Sequence, residues 1–327
     1  MMKNEFLIRM EEPEDCVTHS DSKDYYYRLF HKPVTTFMKN EMDCLQFHSP
    51  SSEPIDYHEH SGGTETFFVS QGKFQCICMG QDFIMEAGDI LHIQPWMGHG
   101  FTAIEPESRL NILFMGIDQY FSLSDPSIRL REKFPGIYEK SAFSEVFWRS
   151  NIGTAKREIP APNMVPPEQA QQLRRNGSGI REHEFAGVRM QLKVARYETE
   201  GVKEIWELFL KPGFYCQWED FLPEYRMFYV TSGKVHCTVR TSAAEKLEFD
   251  AVKDNIIVIP PYNPFRFDIV EDTAMYDMDC PARLQDLCEE LESLAYNDPE
   301  KKKDKAAILA LCKQYGLNCA DIGVKSV

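Results

Sequence analysis

One pattern occurs twice in this chain. Residues 65–73, ETFFVSQGK, align with residues 226–234, RMFYVTSGK, matching phenylalanine, valine, glycine and lysine in register, and Cys76 then falls on Cys237. Further on, residues 93–101, IQPWMGHGF, align with residues 259–267, IPPYNPFRF, after a slightly longer loop in the second copy. Self-similarity of this kind means one folding unit built twice. Each copy consists of short runs of alternating apolar and polar residues separated by turn signals. Even spacing of short strands selects a sandwich or a barrel. The chain is therefore expected to be all-β dominated, as two tandem barrels with a helical linker and a helical tail.

The boundaries follow from composition. Residues 1–150 read as the first domain, with its strand core at about 41–116. Residues 118–150 change character towards helix, and Pro126 suits a first helical turn. Residues 151–187 carry Pro160, Pro162, Pro166, Pro167 and Asn176-Gly177-Ser178-Gly179, the composition of a linker, with a short helix expected around 167–175. Strands resume over 188–282. Residues 283–327 read as a helical tail, with helices over 283–296 and 299–315; Asp298 is the expected N-cap of the second, Pro299 its first residue and Gly316 its stop.

The first copy carries chemistry that the second does not. His58 and His60 lie on a predicted strand, where period-two geometry puts both on one face and Glu59 on the other. Gly62-Gly63 allows a tight return that brings Glu65 back to the same point. His99 follows the Pro95–Gly98 turn. Three imidazoles and one carboxylate suit Fe, Mn, Ni, Co, Cu or Zn, and on an octahedral ion they leave two adjacent positions open.

These residues resemble the cupin superfamily, whose motifs are roughly G-x5-H-x-H-x3/4-E-x6-G and G-x5-P-x-G-x2-H-x3-N. The first is present from His58 onward as H-x-H-x4-E-x6-G, without the leading glycine at its usual place. The second is partial: Gln94 stands for the proline, Met97 for the glycine and Ala103 for the asparagine, with Gly88 and His99 in place. The resemblance spans most of the chain as a two-cupin (bicupin) arrangement of double-stranded β-helix, or jelly-roll, barrels. It implies His58, His60, Glu65 and His99 as ligands of one divalent transition metal per chain, iron foremost, with Mn, Ni, Zn, Co or Cu as alternatives. In the repeat register these four positions correspond to Glu219, Phe221, Arg226 and Phe265, so the second barrel is expected to be metal-free. A sharper reading of that barrel has Arg226, with Arg266 or Tyr229, binding an anion in the vacated pocket.

Strand parity places Phe67 and Val69 on the face of Glu65, and Trp96 and Phe101 flank His99, so these four are the candidate substrate-pocket residues. Asp56 shares the face of His58 and is a candidate to orient a ligand imidazole. Tyr57 points outward by parity, and His92 reads more readily as a surface or satisfied core histidine than as an acid or base.

A net charge of −15 argues against binding a phosphate backbone. No apolar run approaches membrane-spanning length. The charged N-terminus lacks the apolar core of a signal peptide, and the 10 cysteines are scattered as free thiols would be. A cytoplasmic protein with a small-molecule substrate is expected, with no nucleic-acid or membrane partner and a homodimer as a candidate assembly.

The leading functional reading is an oxidoreductase, a dioxygenase similar to the quercetinase kind, with a substrate oxygen and O2 on the metal and Glu65 doubling as base. The alternative is a metal-dependent isomerase, lyase or decarboxylase acting on a sugar acid or small carboxylic acid. Oxalate-type bicupins resemble the chain in ligand set but normally keep both metal sites. A third reading is a non-enzymatic small-molecule binding cupin.

Overall fold

A computed structural model describes residues 6–9, 17–19, 25–29, 40–47, 55–60, 64–115, 154–156, 163–170, 172–199, 203–219, 226–241, 245–259, 262–281 and 283–325; at 17–19, 25–29, 40–47, 55–56, 60, 114–115, 154–156 and 279–281 it describes the backbone alone. Two compact units result, Glu11–Ser178 and Met1–Met10 with Gly179–Val327.

The first unit is two antiparallel sheets. The larger runs, edge to edge, Leu173–Arg174, Ile90–Ile93, Thr64–Gln71, Ser108–Met115, Asn40–Phe47, Tyr25–Leu29 and Val17–His19. The smaller runs Thr154–Lys156, Ile55–His60, His99–Ala103, Lys73–Cys78 and Gln81–Glu86. Phe67, Phe74, Cys76, Met85, Phe101, Leu110 and Ile112 form the core of this unit.

The second unit repeats the plan. One sheet runs Leu7–Arg9, Asn255–Ile259, Arg226–Ser232, Thr273–Pro281, Lys203–Leu210, Val188–Val194 and Arg181–Phe185; the other runs Lys246–Val252, Lys234–Arg240, Phe265–Ile269, Phe214–Trp218 and Cys319–Val324. The four strands that carry the repeated sequence occupy equivalent places in both units. Alternation is visible in Lys234–Arg240, where Val235, Cys237 and Val239 are buried and the residues between them are not.

The matched glycines explain their own persistence. Gly72 and Gly233 both have φ +73°, a region that L side chains rarely adopt. A Cβ on Gly72 would stand 2.1 Å from Ser108 Oγ, and one on Gly233 2.2 Å from the Asp272 carbonyl oxygen. Each glycine therefore lets one strand turn pass directly against the neighbouring chain segment.

Several expectations change here. Residues expected as a linker are distributed between the units: Thr154–Lys156 pairs with Ile55–His60, Leu173–Arg174 with Ile90–Ile93, and Arg181–Phe185 with Val188–Val194. Among the described residues of 167–175, Pro167–Gln169 alone is helical, as a 3-10 turn. The helical reading of 118–150 falls outside the described residues. Leu7–Arg9, near the N-terminus, pairs with Asn255–Ile257 of the second unit.

The tail is helix, turn, helix and strand. Helix α1, Leu284–Ala295, buries Leu284, Leu287, Cys288, Leu291 and Ala295, one stripe at helical spacing. Asp298 does cap, but it caps the 3-10 turn Pro299–Lys302. The second helix, α2, is Lys305–Gln314, because Asp304 accepts from the Ala306 and Ala307 backbone N–H groups and starts it afresh. Gly316, at φ +72°, ends it. Cys319–Val324 then adds an edge strand to Phe214–Trp218, which the helical reading of 283–327 missed.

Candidate metal centre

Three of the four expected ligands converge. His99 is paired directly across from His58 in the smaller sheet of the first unit, so both imidazoles project from the same face. Glu65 comes from the facing sheet. The ligand atoms of His58, Glu65 and His99 all lie within 4.8 Å of one another, and among the described residues this is the one group of its kind. His60 ends the Ile55–His60 strand on the same parity as His58, while its side chain, like that of Asp56, lies outside the described residues.

The details of His99 define the site's chemistry. Its Nδ1 is 2.8 Å from the Met97 carbonyl oxygen, which can only accept, so Nδ1 carries the proton. Nε2 then presents a lone pair, and it faces Glu65 Oε2 at 2.7 Å with both side chains almost fully buried. Two acceptors at that distance need a cation, a proton or a metal ion, to share. Donors bound at right angles about 2.1 Å from one ion would stand roughly 3 Å apart. The imidazole and carboxylate set thus fits a divalent transition metal, with the tautomer already fixed by a backbone carbonyl as ligand histidines commonly have it.

Aromatic residues back this set. The ring of Phe67 lies 5.6 Å from His99 and 5.4 Å from Phe101, and His58 lies 4.4 Å from His99. Phe67, Val69 and Phe101 are all buried in the core of the unit. Trp96 is different: it is 62% exposed, so the expected aromatic wall beside His99 is made by Phe67 and not by Trp96. The turn itself explains why. The spacing of the motif, counted back from His99, puts its glycine at Trp96 and not at Met97, and Trp96 has the left-handed φ of +65° that such a glycine would adopt. Tyr262 holds the same place in the second unit, at φ +62° and 60% exposed.

Tyr57 does leave the ligand face, yet it is buried, with its hydroxyl packed over Gly98. His92 is also buried, its Nδ1 2.9 Å from Thr66 Oγ1, as expected of a satisfied core histidine. One neighbour escaped the sequence reading. Cys78 pairs across from His99 on the other side and so faces the ligands' side of the sheet. Burial pushes its thiol up to about 12, and its sulfur is not among the ligand atoms that converge with His58, Glu65 and His99.

In the second unit, strand pairing places Trp218 opposite Phe265, as His58 is opposite His99. The counterparts of His58, Glu65 and His99 are therefore Trp218, Arg226 and Phe265; the sequence register had offered Glu219 for the first. The Arg226 guanidinium lies 4.8 Å from the Trp218 ring centre, 4.9 Å from Phe228 and 5.5 Å from Phe265. It forms a short, buried ion pair with Asp277. An organic cation in an aromatic cage, neutralised by a carboxylate, occupies the equivalent position. The expectation that Arg226, Arg266 or Tyr229 awaits an anion meets three engaged side chains. Arg226 holds Asp277, Arg266 grips Asp268 through two bonds of 2.6 and 2.8 Å, and Tyr229 donates to Asp254 at 2.6 Å. The Arg266 fork holds the Asp268 carboxyl down at about 2.

Comparisons with known proteins agree with this architecture. Residues 47–116 match the Cupin domain family. No curated protein sequence matches the chain. Among solved structures, the oxalate decarboxylase of Lactobacillus farciminis in complex with formate is 14% identical, with 93% of this chain and 97% of that one covered at a TM-score of 0.52. Bacillus subtilis oxalate decarboxylase at pH 4.6 is 14% identical over 85% of this chain and 77% of that one, TM-score 0.51. A 7S globulin of Momordica charantia is 11% identical over 85% and 84%, TM-score 0.52. At these identities the likeness is one of fold. No helix among the described residues is long and apolar enough to cross a membrane. Residues 47–116 are thus a Cupin domain by sequence, and the chain as a whole has the two-barrel bicupin fold.

Proposed function

We propose that the first barrel is a mononuclear-metal enzyme site in which His58, His60, Glu65 and His99 hold one divalent transition metal, and that it acts as a lyase or decarboxylase on a small carboxylic acid. The observation that carries the metal is the approach of His99 Nε2 to Glu65 Oε2 at 2.7 Å with Nδ1 committed to Met97. Iron, manganese, nickel, cobalt, copper and zinc all suit such a nitrogen-rich set with one carboxylate. When bound, the ion supplies Lewis acidity that stabilises negative charge on substrate oxygens. In this reading Glu65 would accept a proton, and Phe67, packed on His99, would keep water from that side. The choice of carbon–carbon cleavage rests on the fold shared with two oxalate decarboxylases. The same fold in a 7S globulin means that the reaction itself must be decided by assay.

A dioxygenase is the second reading, favoured by the apolar wall of Phe67 and Phe101, which suits a planar aromatic substrate. The partner in either case is a small molecule, handled by a cytoplasmic protein. Metal-loaded protein should be assayed for CO2 release and O2 uptake in parallel, with short keto and dicarboxylic acids and with flavonols and catechols. Release of CO2 without matching O2 consumption is expected. Stoichiometric O2 uptake would move the assignment to the dioxygenase. Ligand binding that survives His58→Ala, with neither reaction, would replace both by a binding module.

A further inference from the structure

The second unit contains a cleft of about 700 Å³ that is remote in sequence from the metal ligands and takes no part in the reading above. Its walls come from the Arg181–Phe185 hairpin, the 3-10 turn and α2, and the Cys319–Val324 edge strand. The lining is apolar at Phe185, Ile308, Ile322 and Val324. Lys302, Lys303 and Lys305 stand on it as well, part of a run in which four of five residues, 301–305, are lysine. Glu184 and Glu300 line it too, so lysines outnumber carboxylates by three to two on its walls, in a chain with 51 acidic against 36 basic residues.

We infer that this cleft binds a small amphipathic anion, a carboxylate or phosphate ester on an apolar body. The volume falls in the range of small-molecule pockets. The α2 N-terminus is not the anion donor, since Asp304 already accepts from the Ala306 and Ala307 N–H groups. The lysines are the donors. Lys302 is held 2.7 Å from Glu292, and Lys305 is paired with Asp321 and lies 3.4 Å from the Tyr215 hydroxyl, so both ammonium groups are fixed in place. Lys303 pairs with Glu300 at 3.0 Å, but both are about three-quarters exposed. Such a surface pair contributes little, so a ligand carboxylate can take the place of Glu300 at small cost. Val324 is 52% exposed at the same lining, an apolar surface for the ligand's body to cover.

The test is calorimetric titration of the full chain at low salt with octanoate, octylammonium and inorganic phosphate. Octanoate should bind one to one, and more weakly as salt is raised. Phosphate alone should bind at least about tenfold more weakly, because it buries no apolar surface. Octylammonium should not bind. Lys303→Glu should weaken octanoate about tenfold or more, and Val324→Asp, at a half-exposed position and checked for folding by circular dichroism, should do the same. Absence of octanoate binding, equal binding of octylammonium, or unchanged affinity in Lys303→Glu would each overturn the assignment.

Discussion

Replacing Glu204 with glutamine should remove a pH dependence of stability from the second unit. Glu204 is fully buried. Its Oε2 accepts from Trp206 Nε1 at 2.8 Å and from the Gln285 backbone N–H at 3.0 Å, tying the start of α1 to the Lys203–Leu210 strand. Oε1 has no hydrogen-bond partner among the described residues. Burial dominates and raises the carboxyl from 4.5 to about 7, against the lowering effects of Trp206, Gln285 and Arg196. A folded pKa above the unfolded one means that the folded state holds the extra proton between the two values. The unit is therefore favoured below pH 4.5 and loses stability as pH rises towards 7. A shift of about 2.5 units at 1.36 kcal/mol each gives a loss of roughly 3 kcal/mol. Urea unfolding of wild type and Glu204→Gln at pH 5 and pH 8 isolates this term, because the other carboxylates cancel in the double difference. The variant should gain about 2–3 kcal/mol on the wild type between the two pH values, since pH 5 already lies above the unfolded value. A difference that does not change with pH would refute the linkage.

Three further outcomes follow from packing. Arg226→Ala leaves Asp277 buried beside aromatic rings and should cost about 3–5 kcal/mol in urea unfolding, whereas Arg226→Met with Asp277→Leu should cost much less. Trp96→Gly relieves a left-handed φ at an exposed side chain and should stabilise the first unit by about 1 kcal/mol, read as a higher melting temperature with metal content unchanged. Gly72→Ala should cost more than about 2 kcal/mol by the same measurement, since the added Cβ meets Ser108 Oγ at 2.1 Å and Cα at 2.9 Å.

The repeat and the ligand types could be read from the sequence because both are local. Period two puts His58 and His60 on one face whatever surrounds them, and Gly72 and Gly233 are required by a turn of a few residues. What could not be read depends on distant partners. Asp277 lies 51 residues from Arg226, so nothing near Arg226 reveals that its charge is already matched. Trp218, and not Glu219, holds the place of His58, because inter-strand pairing sets register more finely than an alignment across a loop of different length. Trp96 looked like a wall because it neighbours His99; the left-handed turn that sends it into solvent is invisible in residue type, as tryptophan is a poor choice for it. The Cys319–Val324 strand was hidden for a related reason: it exists only because Phe214–Trp218 offers it an edge.

Metal content measured by elemental analysis, on protein produced with ample divalent metals, bears most directly on the site. One equivalent of transition metal per chain is expected in the wild type and in Arg226→Met, and close to none in Glu65→Ala or His99→Ala that remain folded by circular dichroism. A metal-free wild type, or undiminished metal in His99→Ala, would contradict the assignment of His58, Glu65 and His99 as its ligands.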